Sequence, residues 1–140
     1  MLKKTSEIKE KFDSEIEEKY VASMVLGAVG DAIGYNDGSW EFCFNGEKIH
    51  EDLKNLGGLE NLNINKWWVS DDTVMHIASA KAVLSSYQNF DELMSTMALE
   101  YIECWKDMGG RGPGPTCSYG VHQLKKMKWN QLEYNPSGGG

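Results

Sequence analysis

From Tyr20 onward, the apolar residues Val21, Met24, Val25, Ala28 and Ala32 recur at i, i+3, i+4, i+7 and i+11. That is the period of an amphipathic helix, and it predicts a first core helix. The stretch V-M-H-I-A-S-A-K-A-V-L, directly after S-D-D-T, predicts a second helix over residues 72 to 86. A third, over residues 90 to 108, carries Leu93, Met94, Met97, Tyr101, Ile102 and Trp105 on one face and stops at Gly109-Gly110. The turn-rich segment G-R-G-P-G-P-T leads to a short fourth helix reaching about Lys126, with Thr116 as its expected N-cap. No stretch reads convincingly as a strand, so an all-α fold is expected. Residues 35 to 69, with Asn36-Asp37-Gly38, Gly57-Gly58 and an Asn-rich run, read as a long irregular segment of the kind that often carries function.

Composition narrows the picture. At 140 residues the chain suits one domain, and 41% hydrophobic residues with five Trp and six Tyr describe a globular protein with no signature of disorder. Residues 1 to 19 hold five Lys and six Asp or Glu, which reads as a charged, solvated extension ahead of a domain over residues 20 to 140. A net charge of -7 speaks against a nucleic-acid surface, because phosphates need a field of the opposite sign. Cys43, Cys104 and Cys117 lack metal-site spacing and an even count. A reducing, cytoplasmic location is expected, and no apolar run approaches a membrane span.

The candidate chemistry centres on Ser70, Asp71, Asp72 and Thr73. At a helix mouth one capping oxygen is wanted, and a second adjacent carboxylate adds repulsion that a hard cation such as Mg²⁺ relieves. The plain alternative is a capped helix whose acids complement the dipole. Asp31 lies inside the apolar run G-A-V-G-D-A-I-G, so it must be paired, hydrogen-bonded or liganding, and its expected partners lie in the 35 to 69 segment. Nearby Gly27, Gly30 and Gly34 each cost about 1 kcal/mol relative to Ala in a helix, so a close neighbour is expected there. Glu41, between Trp40 and Phe42, is read either as a partly desolvated carboxylate with a raised pKa or as an exposed loop Glu. G-R-G-P-G offers backbone N–H groups to an anion, and His76 reads as a core or hydrogen-bonded histidine.

In their order, these pieces resemble the ADP-ribosylglycohydrolase family, most closely the ADP-ribosylarginine hydrolases. The resemblance rests on K-Y-V-A-S-M-V-L-G-A-V-G-D-A-I-G-Y (19 to 35), G-S-W-E-F (38 to 42), N-G-E-K-I-H (45 to 50), L-G-G-L (56 to 59), W-V-S-D-D-T-V-M-H (68 to 76) and G-R-G-P-G (110 to 114). It implies an all-α fold with two Mg²⁺ ions, held on one side by Ser70, Asp71 and Asp72. A second acidic run, D-x-D-S/T, completes the site in the family and is absent here. The resemblance also places Glu41 near the metals, and Gly112 and Gly114 in a loop lining the ADP-ribose site. Gly139 and Gly140 would begin a glycine-rich segment that helps hold ribose and phosphates.

By this resemblance the chain is the N-terminal portion of a longer hydrolase domain. Its expected reaction is cleavage of the N-glycosidic bond between ADP-ribose and protein arginine. Asp71 would act as ligand and proton acceptor and Asp72 as a fixed ligand, with Glu41 the third catalytic carboxylate. Expected partners are ADP-ribosylated protein or ADP-ribose, and a complementing C-terminal half or a larger assembly. Alone, the chain is expected to be inactive and to expose an apolar patch. The alternative reading is a catalytically inactive relative serving as a structural or interaction module.

Overall fold

The computed structural model describes residues 15–133, and within them the chain is helical with no strand. Five α-helices follow in order: α1 (Glu15–Tyr35), α2 (Gly46–Asn55), α3 (Asp71–Leu84), α4 (Phe90–Cys104) and α5 (Pro115–Leu124). Short 3-10 turns at Asn36–Gly38, Leu59–Asn61, Trp105–Asp107 and Trp129–Gln131 join or extend them. The all-α expectation holds.

The α3–α4 pair forms the most extensive helix contact, with α1 on α3 and α5 on α4. Ala78 and Ala82 are fully buried on α3, where small side chains let the helices approach, and Ser79 Oγ lies 2.8 Å from Tyr101 Oη across the seam. The face anticipated for α4 is the one that is half-buried, and the helix passes into the Trp105–Asp107 turn before Gly109.

α1 departs from expectation. Only Ala32 and Tyr35, at its C-terminal end, are buried, while Val25 is 55% and Leu26 68% exposed. Its apolar residues run round both faces, and no described residue covers the N-terminal half. Nor does anything lie within 4 Å of a Cβ placed on Gly27, Gly30 or Gly34, so the close neighbour expected there is not among the described residues.

The 35 to 69 segment, expected to be irregular, contains a helix whose few apolar residues, Ile49 and Leu53, lie one turn apart on its half-buried side. α2 is largely charged. It is held by its ends: Asn45 accepts the Lys48 N–H at 3.1 Å, and Gly57 and Gly58, at φ +100° and +73°, close it with Gly58 N donating to Leu53 O. Trp40, buried and edge-on to Trp67, donates from Nε1 to Asp52 and fastens α2 to the preceding loop. α5 also starts differently, with Gly114 rather than Thr116 at the N-cap and Pro115 in the first turn. Proline suits that position because its missing N–H would have no intrahelical partner there.

Candidate functional site

Ser70 is the N-cap of α3, its backbone extended and its Oγ accepting the Asp72 N–H at 3.2 Å. The hydroxyl does the capping, and both carboxylates are released from it. Asp71 is 8% exposed, while Asp72 faces outward beside it.

Asp31 reaches this mouth from α1. Its Oδ2 accepts the Ser70 N–H at 2.9 Å and the Thr73 hydroxyl. It is therefore a satisfied polar group, but its partners are on the S-D-D-T run rather than in the 35 to 69 segment as expected. The chain reverses after α1 through Asn36, Asp37 and Gly38, all at positive φ, and Asp37 Oδ1 accepts the Trp68 N–H at 2.7 Å. These two carboxylates fix the strand-like entry to α3 against the end of α1.

Residues 110 to 112 close the third side. Arg111 O accepts the Asp71 N–H at 3.0 Å, and Tyr35 Oη donates to Gly110 O. Gly112, at φ +75°, lies so close to Glu41 that a Cβ there would sit 2.6 Å from Oε2. The positive φ favours glycine at this position, and an added Cβ would displace the Glu41 carboxylate.

Together these contacts form a concavity of about 190 Å³ lined by Asp31, Gly34, Tyr35, Glu41, Ser70 and Asp72. Asp71 lies beside it. Glu41 has its pKa raised by partial burial and then by the charges of Asp71, Asp72 and Asp31, although the residue as a whole is exposed. Asp71 is raised by burial first, then by Asp72 and Asp31, with backbone N–H groups at the helix mouth pulling the other way. Both shifts come first from burial and then from neighbouring carboxylates gathered in a small space.

That gathering of carboxylates decides the fit of a divalent cation. The donors are hard oxygens, carboxylates and a hydroxyl, suited to Mg²⁺. Asp31, Glu41, Ser70 and Asp72 line the concavity and Asp71 stands behind them, so the chemistry fits. Among the described residues, however, no three acidic, His or Cys side chains converge into a finished ion site.

Gly114 lies at the start of α5, its carbonyl accepting from Ser118. Gly139 and Gly140 lie outside the described residues. His76 is exposed on α3 rather than in the core. The three cysteines are free thiols, and Cys117 lies near enough to Asp71 and Asp72 that their charges add to burial in raising its pKa. Tyr35 and Arg111 are the participants that sequence reasoning left out, while Asp31 was singled out but with its partners misplaced. A carboxylate inside an apolar helix was the available signal for Asp31, whereas Arg111 acts through a backbone carbonyl that no side-chain pattern reveals.

A sequence model of the ADP-ribosylglycohydrolase family matches residues 13–140. ADP-ribosylhydrolase ARH1 of Dictyostelium discoideum is 38% identical over 133 residues, covering 88% of this chain and 34% of that protein. The "Putative ADP-ribosyl glycohydrolase L444" of Acanthamoeba polyphaga mimivirus is 25% identical over 118 residues, covering 76% of this chain and 23% of that one. The chain spans about a third of the first relative and about a quarter of the second.

Proposed function

The chain belongs to the ADP-ribosylglycohydrolase family, and from that premise we propose that it contributes one wall of a Mg²⁺-dependent site hydrolysing the N-glycosidic bond between ADP-ribose and protein arginine. The observation that carries this reading is the gathering of Asp31, Glu41, Ser70 and Asp72 around one concavity, with Asp71 behind, in a state of mutual repulsion.

Ser70, Asp71 and Asp72 would hold the metal from the mouth of α3, with Glu41 facing them from the loop after α1. A Mg²⁺ ion held there would supply positive charge near the ribose and make a neighbouring water more acidic. Asp71 takes the proton from the attacking water. The water oxygen bonds to the ribose C1 as the C1–N bond breaks, the electron pair leaving with the guanidine, which is then protonated. Glu41 and Asp72 bear on the ribose side of the concavity. Gly112 and Gly114 line the approach for the rest of ADP-ribose, and Asp31 fixes the α3 mouth without entering the reaction.

Hydrolysis requires the remaining ligands, supplied by a C-terminal portion of the domain or by a larger assembly. The chain by itself, with Mg²⁺ and ADP-ribosyl-arginine, should release no ADP-ribose. Joined to the part of the relative that follows the aligned segment, it should release ADP-ribose and lose that activity on Asp71→Ala or on chelation. Release by the 140-residue chain alone would overturn the half-site reading, and a joined protein indifferent to chelation would overturn the metal reading.

The second reading, an inactive structural or interaction module, is favoured by the lack of a convergent three-ligand cluster among the described residues. It predicts a joined protein that folds and binds ADP-ribose without cleaving the linkage.

A further inference from the structure

We propose that Arg111 is a positioning residue for the carboxylate wall, acting by the geometry of its guanidinium rather than by its charge; the inference rests on the metal reading above.

Its side chain is 14% exposed and makes three directed hydrogen bonds. Nη1 donates to Val69 O at 2.7 Å, Nε to Asp107 O at 2.7 Å and Nη2 to Asp107 Oδ2 at 2.9 Å. The guanidinium carbon lies 5.1 Å from the centre of the Trp68 ring. One planar group thus joins the segment entering α3, at Trp68 and Val69, to the 3-10 turn that ends α4. The backbone of Arg111 completes the arrangement, since its carbonyl receives the Asp71 N–H at 3.0 Å. The flanking glycines bear on the other two carriers of the site, Gly110 O receiving the Tyr35 hydroxyl and Gly112 lying against Glu41.

No hydrogen bond of the guanidinium goes to Asp31, Glu41, Asp71 or Asp72 among the described residues. A cation bonded to those carboxylates would neutralise the wall and compete with a metal. Arg111 instead spends its donors on two carbonyls and Asp107, and so orders the wall while leaving its negative charge in place. Lysine has the charge but a single ammonium, and it does not reproduce a planar fork reaching two segments at once.

The test uses the ¹⁵N-labelled 140-residue chain, with Mg²⁺ as the probe, and reads amide exchange without metal and chemical-shift changes on titration. In both Arg111→Lys and Arg111→Ala, exchange at the Asp71 amide should quicken about tenfold, as expected for loss of one supported hydrogen bond, while Met97 in α4 is unchanged. Mg²⁺ affinity should fall by about 10- to 100-fold in both, the usual effect of removing support behind a ligand. Lys106→Ala, which removes a surface partner of Glu103, serves as the control and should change neither. Wild-type exchange and affinity in Arg111→Lys would overturn the proposal, as would faster exchange spread evenly over α3 and α4. Should Arg111→Ala fail to fold, Arg111→Lys and Asp107→Ala decide, the latter expected to act in the same direction and more weakly. If the wild-type chain shows no Mg²⁺-dependent shifts, as one wall lacking its remaining ligands allows, the Asp71 amide in Arg111→Lys alone decides the role of Arg111.

Discussion

Gly112 combines a φ of +75° with a carboxylate where its Cβ would be. Alanine there meets about 1–2 kcal/mol of left-handed backbone strain, and its methyl group displaces Glu41, the movable end of a flexible side chain. Gly112→Ala should therefore fold, lose about that much stability in urea and bind Mg²⁺ more weakly. An unchanged urea midpoint would show that this backbone does not take the left-handed form. Asp31 is a different case, because its carboxylate serves two buried donors. Asp31→Ala leaves the Ser70 N–H and the Thr73 hydroxyl unpaired, at about 1–3 kcal/mol for each orphaned group. Asp31→Asn keeps an acceptor oxygen and should cost less, and equal losses in the two variants would argue against the hydrogen-bonding account.

Among the elements, α3 depends on its cap and α2 on its ends and one ion pair. Ser70→Ala removes the oxygen that accepts from Asp72 N and should cost about 1 kcal/mol, measured by thermal melting monitored through helical ellipticity. In α2, the hydrogen bond from Lys48 and then that from Trp40 hold Asp52 below its ordinary pKa, while the same Asp52 contact raises Lys48. A depressed carboxylate contributes stability above its unfolded pKa and loses it as the pH falls through the lower folded value. A raised lysine contributes below its unfolded pKa and loses it as the pH rises through the higher folded value. The pair should thus support α2 between about pH 4 and about pH 10, and more weakly in high salt. Trp fluorescence that follows the same pH course in Lys48→Met as in wild type would contradict this.

At the scale of the whole molecule, the core is thin. The buried apolar residues of the described chain are Ala32, Tyr35, Trp40, Ala78, Ala82, Met108 and Val121, while Tyr20, Val25 and Leu26 leave α1 largely uncovered. An apolar helix surface in water favours association. The 140-residue chain should therefore associate with increasing concentration in sedimentation velocity and bind a hydrophobic dye. Val25→Lys with Leu26→Glu should reduce both without lowering the melting temperature, since neither side chain is packed. A monomeric wild-type chain that melts cooperatively and binds no dye would contradict this reading.

Periodicity located α1, α3 and α4, the turn-rich G-R-G-P-G-P-T run pointed to α5, and a capping oxygen in the S-D-D-T run was readable from residue type, whereas only the structure assigns the cap to the Ser70 hydroxyl. α2 escaped because it is short and largely charged, its apolar side reduced to Ile49 and Leu53, and because Asn45, Gly57-Gly58 and the Trp40–Asp52 contact hold its ends. Within the candidate site, the order of motifs along the sequence was enough to bring Ser70, Asp71, Asp72, Glu41 and Gly112 under suspicion. Only the tertiary structure decided that Asp31 clamps the α3 mouth, that Asp71 is buried while Asp72 lines the concavity, and that Arg111 ties the loop to both. Helical period is a local property, written in side chains three and four residues apart. The meeting of Asp31 with Ser70 and of Asp71 with Arg111 spans 39 and 40 residues of chain, and in each the donor is a backbone N–H that every residue type but proline carries alike.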